Sequence, residues 1–514
     1  MTIFISTSTP YVNARPHLGH ALEFVQADVL ARHQRSRGRA TYLLTGTDDN
    51  AAKNVAAAAA AGVPVAEFVA RTGEVFVRLA DRLGVGYDDV LHTGTDPRHR
   101  AAVEKLWHGV GHDLYRRTYT GLYCLGCEQF YQPAELAAGR CPEHDTVPDE
   151  VTEQNWFFAL SRYQDQLEQL ISSGQVEIQP AHRRAEVLAF VRAGLNDYSV
   201  SRPSGRSDGW GIPVPGDPEQ TIYVWWDALC NYISAPGYGT DADSYRDRWA
   251  DAEARIHLVG KGIIRFHAVF WLATLLSAGE PLPTRIAVHE YLQAGGRKIS
   301  KSAPAAGLSS PEELLDRYGR DALRWWFVSD VNRVGDTDFT EQRLADRYSE
   351  DLVNTIGNLI NRCVTLARRA YGERLPQLSE PAATVVPCQT RPHELITAVR
   401  AAEGLPTQID AALADFDLRR AARAITATAT AANIAVESTR PWQHLSAAAD
   451  GDAEALAALN PVLPPLIHLC RQLAAELRPF VPDGAQRLAD ALGRGAGLGQ
   501  PVPAFERLRH PDVS

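Results

Sequence analysis

The feature that most constrains the fold is an alternation of strand, helix and strand within the first 50 residues. A short apolar run with β-branched residues, TIFIST, precedes a stretch from Leu18 to about Arg35, in which Leu22, Val25 and Val29 recur at helical spacing. A glycine ends this helix, and ATYLLTG forms a second strand. A strand–helix–strand unit of this length implies a parallel sheet with ligands at the carboxyl ends of its strands. We therefore predict an α/β nucleotide-type domain at the N-terminus.

The rest of the chain divides by pattern, and 514 residues are enough for roughly three or four domains. Short, turn-rich segments with cysteines occupy residues 116–215. Strand-like runs return at TIYVWW (221–226) and RIHLVG (255–260), which predicts that the sheet resumes after an insertion. Beyond about residue 345 the chain is rich in Ala, Leu and Arg with helical patterning, which predicts a helical bundle. The proline-bearing stretch 376–392 is predicted to be a surface loop within that bundle.

Composition excludes several classes of function. Hydrophobic residues make up 45% of the chain and charged residues 22%, as in ordinary globular proteins. The net charge of −10 argues against a general DNA-coating role, although a local basic patch for one shaped RNA is compatible with it. No run approaches the ~20 apolar residues of a membrane span, and no signal peptide is visible. We expect no membrane association. The cysteines, three of which lie in one short segment that favours a metal site over a disulfide framework, favour a reduced, cytoplasmic setting.

The stretch ARPHLGHALEF places two histidines at the predicted start of the first helix. His17 and His20 could cap and pack that helix, ligate a metal, or hold a phosphate. The spacing is not a usual zinc pattern. The phosphate hypothesis has a mechanism, because a helix N-terminus attracts anions and Gly19 lets a ligand approach the backbone. The motif alone leaves capping and phosphate binding open.

A second signal favours the phosphate hypothesis. Residues 297–302 read RKISKS, a lysine/serine loop that by itself could be a solvated basic turn. When this loop is taken together with HLGH at the start of the first helix of a strand–helix–strand fold, a function for it follows. Lys298 and Lys301 can neutralise a triphosphate during group transfer.

Three of the seven cysteines lie in one short segment. Cys124-x2-Cys127 is followed after thirteen residues by Cys141-x2-His144, and two such pairs supply four ligands for a tetrahedral ion. Because protein groups fill all four positions, we predict a structural zinc site. The alternative is three buried cysteines and a surface histidine.

HLGH and KISKS together match the two signatures of class I aminoacyl-tRNA synthetases. Eight stretches occur in the order found in the methionyl-tRNA synthetase family: PYVNARPHLGH, YCLGCEQFY, GRCPEH, SVSRP, WGIPVP, YVWWDALCNYI, GKGIIRFHAVFW and DLVNTIGNLINR. The chain resembles that family over roughly residues 1–445. The implied fold is α/β: a parallel-sheet, Rossmann-type catalytic domain with a zinc-knuckle insertion and a C-terminal α-helical anticodon-binding bundle. The implied domains are the first catalytic half 1–115, the knuckle insertion 116–215, the second catalytic half 216–290, the signature-loop and stem-contact region 291–345, and the anticodon-binding domain 346–514.

The resemblance implies ATP-dependent activation of methionine and its transfer to the 3′ end of methionine tRNA, with magnesium accompanying ATP. The catalytic residues implied are His17, His20, Lys298 and Lys301, and Gly19 and Ser300 join them in binding ATP. The residues implied to bind methionine are Tyr11, Asp48, Trp225, Ala228, Leu229, Tyr232, Ile263 and His267. Trp226 is assigned to the core instead, because neighbouring residues of a strand face opposite sides.

The anticodon end is expected on the helical bundle. Asn358 and Arg362 are four residues apart and share a helix face, and Trp442 can stack on an unpaired base. By resemblance these three side chains meet the anticodon. Without the family match they describe a solvated helix face and a core tryptophan. No C-terminal appendage of the kind found in some relatives is visible, which favours a monomer.

Several positions depart from the family pattern. Asn50 and Ala51 stand where histidine and glycine are usual, Gly262 stands where aspartate is common, and Leu229 replaces a proline of some members. The signature loop continues as APAAGLSSP instead of a glycine–asparagine pair. These changes motivate the hypothesis of a divergent, secondary copy. Two alternatives follow: an enzyme that makes an aminoacyl-adenylate for a non-translational purpose, and a catalytically weakened tRNA-binding protein.

Overall fold

The computed structural model describes residues 1–124, 129–142, 145–299, 309–376 and 392–508. The chain divides into two compact units, of which the first is Met1–Leu292 with Arg297–Pro311 and the second is Gln293–Gly296 with Glu312–Ser514.

The strands of the described residues are β1 Ile3–Ser6, β2 Thr41–Thr47, β3 Asp89–His92, β4 Leu114–Cys124, β5 Gln129–Tyr131, β6 Asp149–Phe158, β7 Glu177–Gln179, β8 Tyr198–Ser199, β9 Ser201–Pro203, β10 Pro213–Val214, β11 Asp217–Ile222, β12 Ala254–Gly260, β13 Arg285–His289, β14 Leu292–Ala294, β15 Arg297–Lys298 and β16 Thr337–Asp338. The α-helices are α1 Leu18–Ser36, α2 Ala52–Ala61, α3 Val65–Leu83, α4 Pro97–Gly109, α5 Gln164–Ser173, α6 Ala181–Arg192, α7 Val224–Ser234, α8 Ala242–Tyr245, α9 Leu272–Ala278, α10 Pro311–Ser329, α11 Glu341–Arg347, α12 Asn358–Tyr371, α13 His393–Ala414, α14 Leu418–Thr439, α15 Leu445–Ala449, α16 Ala453–Leu459, α17 Leu463–Leu477 and α18 Pro482–Leu492. Wider, π-type helical turns occur at Arg246–Ala250, Phe266–Trp271 and Tyr348–Gly357.

Six strands form one parallel sheet in the order β3-β2-β1-β12-β13-β7. The strands predicted from TIFIST, ATYLLTG and RIHLVG are β1, β2 and β12, and they are adjacent and parallel, so the predicted α/β fold is confirmed. All four residues of β1 are buried, as expected for a parallel strand covered on both faces. The chain order of the strands reverses between β1 and β12. A crevice at the carboxyl ends of these two strands is where such sheets bind ligands.

The prediction that the parallel sheet resumes at residues 221–226 is wrong, because β11 pairs antiparallel with β9 and β10 in a separate sheet and the second half of the run is helical. Strand β11 ends at Ile222 and helix α7 begins at Val224. A short apolar run does not distinguish a buried strand from a buried helix, and nearly every residue of α7 is buried. Trp226 is a core residue, 2% exposed, as predicted. The reason is not strand alternation, because successive side chains of helix α7 point in different directions around its axis and Trp226 faces the core while Trp225 is half-buried.

The cysteine-bearing region is mostly antiparallel. Strands β5, β4, β6 and β8 form one sheet in that order, and β10, β11 and β9 form another. Strand β7, which lies within residues 116–215, pairs with β13 at the edge of the main parallel sheet. The boundaries assigned to the five domains stay predictions.

In the second unit, the chain beyond residue 340 is helical in its described part, which confirms the predicted helical C-terminal region. Helix α13 packs along α14, and α17 packs against α12, α13 and α18. The stretch Ala453–Leu477 has the length and composition of a membrane span, against the sequence expectation, but half of its most apolar window is buried within the structure, as in a core helix. The predicted loop at 376–392 lies almost wholly outside the described residues.

Candidate active site

A cleft of about 350 Å³ opens where the strand order reverses in the first unit. Its walls come from the segment after β1, the start of α1, the turn after β12 and the residues that follow β13. The lining side chains and backbone belong to Ser8, Tyr11, Asn13, His17, Gly19, His20, Glu23, Lys53, Gly260, Gly262, Ile263, His289, Glu290, Tyr291, Leu292, Lys298 and Ile299. The cleft therefore brings together residues that the sequence analysis took from both ends of the first unit.

The two histidines of HLGH cap helix α1 reciprocally. Nδ1 of His17 accepts a hydrogen bond from the Gly19 N–H at 3.0 Å, and Nδ1 of His20 accepts one from the His17 N–H at 3.0 Å. The ring centroids are 3.9 Å apart. In a neutral ring whose Nδ1 accepts, the hydrogen is on Nε2. Capping and ligand binding are thus compatible, because the cap uses one nitrogen of each ring.

Gly19 has a further reason to be glycine. A Cβ at this position would lie 2.9 Å from Cε1 of His17, closer than Cβ contacts occur in proteins. The absent side chain therefore makes room for the ring of His17 that caps the helix.

On another wall of the cleft, Tyr291 contacts two lysines. Nζ of Lys298 lies 3.7 Å from the centroid of the Tyr291 ring, and Nζ of Lys261 lies 4.7 Å from it. The first lysine of KISKS is thus placed at the cleft by a cation–π contact. Ser300 and Lys301 lie outside the described residues.

A buried Glu–His pair in the cleft was not among the predicted site residues. Oε2 of Glu23 is 2.9 Å from Nε2 of His289, and Oε1 accepts from the N–H and hydroxyl of Ser8 at 2.7 and 2.6 Å. Burial opposes the charged form of His289, but the hydrogen bond and charge of Glu23 outweigh it, so the pKa of His289 is raised. The available signal was the position of His289 as the last residue of an apolar strand.

Glu290 was also missed. Its carboxylate is buried and accepts from Nη2 of Arg183 at 2.6 Å, while Nζ of Lys261 lies 3.3 Å away. Burial favours the neutral acid, but Arg183 and Lys261 hold the pKa of Glu290 below its usual range. Glu290 therefore fixes Lys261 beside Gly262.

The residues predicted to bind methionine fall into two groups. Tyr11 and Ile263 line the cleft, and Trp225 packs edge-to-face on Tyr11 at 6.0 Å and stacks on Phe266 at 3.9 Å. Among the described residues, the buried indole N–H of Trp225 has no hydrogen-bond acceptor. Ala228 and Leu229 are buried on α7 behind this wall.

Tyr232 and His267 form a buried hydrogen-bonded chain that ends at the cleft wall. Nδ1 of His267 donates to the carbonyl of Ile263 at 2.9 Å, so Nε2 of the neutral ring accepts from the Tyr232 hydroxyl at 2.8 Å. Burial lowers the pKa of His267 to about 4, which keeps the ring neutral. The chain fixes one tautomer and one orientation.

Asp48 lies next to Tyr11. The two residues are bridge partners, the N–H of Asp48 donates to the Pro10 carbonyl at 3.0 Å, and the Asp48 side chain is buried. Its carboxylate accepts from the N–H of Asn50 at 3.2 Å.

In the second unit, two of the three predicted anticodon residues lie together. The guanidinium of Arg362 is 5.9 Å from the Trp442 ring centroid and pairs with Glu437 at 2.7 Å. Trp442 is 40% exposed, unlike a core tryptophan. Asn358 is exposed one turn before Arg362 on α12.

Only half of the predicted zinc ligands lie in the described residues. Cys124 and Cys141 are each 1% exposed and share a small buried cluster with Tyr131, whereas Cys127 and His144 lie outside the described part. Within the residues that the structure describes, no group of three or more His, Cys, Asp or Glu is placed to hold a metal ion.

The cleft lies where the strand order of the parallel sheet reverses, and both the HLGH helix start and the first lysine of KISKS line it. This arrangement defines a catalytic domain of the class I aminoacyl-tRNA synthetases. The model of the family "tRNA synthetases class I (M)" matches residues 3–147 and 131–364. Methionine–tRNA ligase of Rhizobium meliloti is 34% identical, covering 99% of each chain, and that of Streptomyces coelicolor is 34% identical over 96% of this chain and 90% of its own. The solved structure of Mycobacterium tuberculosis methionyl-tRNA synthetase in complex with methionyl-adenylate superposes with a TM-score of 0.89 at 32% identity, covering 98% of this chain and 100% of that chain.

The chain belongs to the methionyl-tRNA synthetase family and is an aminoacyl-tRNA synthetase.

Proposed function

We propose that the cleft activates methionine with ATP and transfers it to methionine tRNA. The observation that carries this proposal is the convergence of the capped HLGH helix start and Lys298 on one cleft at the reversal point of the sheet. The triphosphate lies at the start of α1, where Nε2–H of His17 and of His20 donates to its oxygens. Lys298 and Lys301 neutralise the charge that develops on the leaving pyrophosphate, and Gly19 and Ser300 complete the ATP site.

The reaction has two steps. A carboxylate oxygen of methionine attacks the α-phosphorus and the bond to pyrophosphate breaks, which gives methionyl-adenylate. A hydroxyl at the 3′ end of the tRNA then attacks the acyl carbon, and AMP leaves. Neither step needs a covalent enzyme intermediate, so catalysis rests on positioning and on charge stabilisation. Magnesium accompanies ATP.

Methionine lies between Asp48 and the aromatic wall. The Asp48 carboxylate binds the ammonium group, and Tyr11, Trp225 and Ile263 cover the thioether. Ala228, Leu229, Tyr232 and His267 support this wall from behind. The Tyr232–His267 chain supports a pocket of fixed shape, because the hydrogen bonds hold both rings in place.

On the helical unit, we assign the anticodon contact to Asn358, Arg362 and Trp442. The exposed indole offers a stacking surface, and the guanidinium of Arg362, which pairs with Glu437, lies beside it.

Zinc is proposed as a structural ion held by Cys124, Cys127, Cys141 and His144. Two buried cysteine side chains in one cluster, Cys124 and Cys141, fit half of that donor set. When bound, the metal would crosslink the tip of the β4–β5 region. We further propose a monomeric enzyme of the cytoplasm, with the domain limits given in the sequence analysis.

The decisive experiment is amino-acid-dependent exchange of pyrophosphate into ATP across the twenty amino acids, followed by charging of methionine tRNA. Methionine alone should support exchange, and the same enzyme should charge the tRNA. Absence of exchange with methionine would overturn the proposal. Exchange without charging would favour an adenylate-forming enzyme outside translation, and binding of tRNA without exchange would favour a tRNA-binding protein.

A further inference from the structure

Asn50, which stands where the family usually has histidine, is buried at the meeting point of two walls of the proposed methionine pocket. It is 8% exposed and follows β2, two residues after Asp48. Its backbone N–H donates to Oδ1 of Asp48 at 3.2 Å, and its side-chain Nδ2 donates to Oδ2 of Asp227 at 2.7 Å. One residue thus contacts both the carboxylate that would bind the ammonium group and helix α7.

Asp227 is the anchor of α7 at this point. It lies two residues after Trp225 and is 1% exposed. Its Oδ1 is 2.5 Å from Nε2 of His99, whose Nδ1 is 3.1 Å from the Ser234 hydroxyl. That hydroxyl donates to the Cys230 carbonyl at 2.6 Å, so the chain of hydrogen bonds from Asp227 through His99 returns to helix α7.

The Asp227 carboxylate is therefore held by His99 on one oxygen and by Asn50 on the other. A buried carboxylate oxygen without a donor is costly, so the amide of Asn50 defines where α7 sits relative to the turn after β2. A second bond from Nδ2 to the Thr93 carbonyl, at 3.3 Å, fixes the amide orientation. The oxygen of the Asn50 amide cannot take this place, since both partners are acceptors.

We propose that Asn50 is a positioning residue for amino-acid selection: it fixes the separation between the ammonium-binding carboxylate of Asp48 and the thioether wall on α7. This inference rests on the proposed function. The departure from the family pattern at Asn50 then preserves the methionine pocket, with an amide donor as the connecting group. The hydrogen bonds of this network join Asn50 to Asp48, Thr93 and Asp227 and continue to His99 and Ser234, and these residues lie outside the helix start proposed to bind ATP.

The test is the KM for methionine and for ATP in pyrophosphate exchange, measured for Asn50→Ala, Asn50→Asp and Asn50→His. We expect Asn50→Ala to raise the methionine KM about tenfold, the equivalent of 1.4 kcal/mol, with the ATP KM changed less than about twofold. The isosteric Asn50→Asp should be worse, because it sets two carboxylates against each other. Asn50→His, which restores a ring N–H donor, should recover most of the loss.

Asn155→Ala is the matched control, since Asn155 is fully buried and donates to the Glu153 carboxylate at 3.1 Å on β6. It should leave the ratio of the two KM values unchanged. If Asn50→Asp does not fold, the double variant Asn50→Asp/Asp227→Asn, which reverses donor and acceptor, should fold and bind methionine.

Equal loss for methionine and ATP, or no loss with methionine, would overturn the positioning role, as would failure of both Asn50→His and the double variant to recover binding. Failure of the proposed function would be separate, because the unaltered chain would then show no exchange with methionine.

Discussion

Removal of the Tyr232 hydroxyl tests whether the pocket owes its shape to a fixed tautomer of His267. In Tyr232→Phe the ring stays in its buried place, 1% exposed in the unaltered chain, and only the donor to Nε2 of His267 is lost. The bond to the Ile263 carbonyl keeps the hydrogen on Nδ1, so Nε2 is left as a buried acceptor without a partner.

The magnitude follows from this geometry. A buried acceptor without a partner costs about 1–3 kcal/mol. The free protein can recover part of that cost if water enters the pocket and donates to Nε2, and methionine must then expel that water. We expect the methionine Kd to rise about tenfold, which corresponds to 1.4 kcal/mol, while the ATP Kd changes less than about twofold.

Isothermal titration calorimetry with methionine and, separately, with ATP measures both quantities. Tyr115→Phe is the control, because its hydroxyl also donates to a side chain, Oδ2 of Asp197 at 2.6 Å, in the antiparallel part of the unit. It should leave the methionine Kd unchanged. Unaltered methionine affinity in Tyr232→Phe would refute the reasoning, and so would an equal loss in the control.

Further predictions address the signature loop, pH, metal and tRNA. Lys301→Ala should slow adenylate formation in single-turnover assays by at least about a hundredfold while the methionine Kd stays within twofold, and an unchanged rate would contradict its role in charge stabilisation. The folded-state pKa of about 4 for His267 lies below the unfolded value of about 6.5, so its contribution to stability is complete above pH 6.5 and falls between pH 6.5 and 4. The melting temperature of the unaltered chain should fall as the pH is lowered from 6.5 to 4, and that of His267→Gln should fall less. An equal fall in both proteins would exclude His267 as the cause. Cys124→Ser should remove zinc measured by elemental analysis and lower the melting temperature, whereas Cys230→Ser, also at a buried free thiol, should keep the metal. Trp442→Ala should raise the KM for methionine tRNA about tenfold through lost stacking and leave pyrophosphate exchange intact, and loss of exchange would argue against a role confined to tRNA.

The backbone of the catalytic unit could be predicted because its signals are local. TIFIST is a short apolar run with β-branched residues, Leu22, Val25 and Val29 recur at helical spacing, and parallel pairing follows from the helix that connects β1 to β2. The run at 221–226 failed because a helix that is buried on nearly all sides has no polar face to reveal its period.

The residues of the candidate site also fall into those that the sequence identifies and those that it does not. His17, Gly19 and Lys298 are recognisable because their motifs are contiguous in sequence. Glu23 and His289 are not, since they are 266 residues apart and become a pair only when α1 and β13 pack around one cleft. Long-range partnerships between single polar residues leave no local pattern, so the network through Asn50 was visible only as a departure from a motif.

Each histidine of HLGH has two roles, because one ring nitrogen caps helix α1 and the other is proposed to contact phosphate. A substitution can remove one role and keep the other. Asn or Ser at position 17 can still accept from the backbone N–H groups of the first turn, but neither supplies an imidazole N–H in the same place. Such a substitution would yield a chain that folds normally and lacks the phosphate contact proposed for His17, whereas alanine would confound a folding defect with a catalytic one. Inactive variants intended for trapping methionine, ATP and tRNA together are therefore better made with cap-competent residues at the helix start than with alanine.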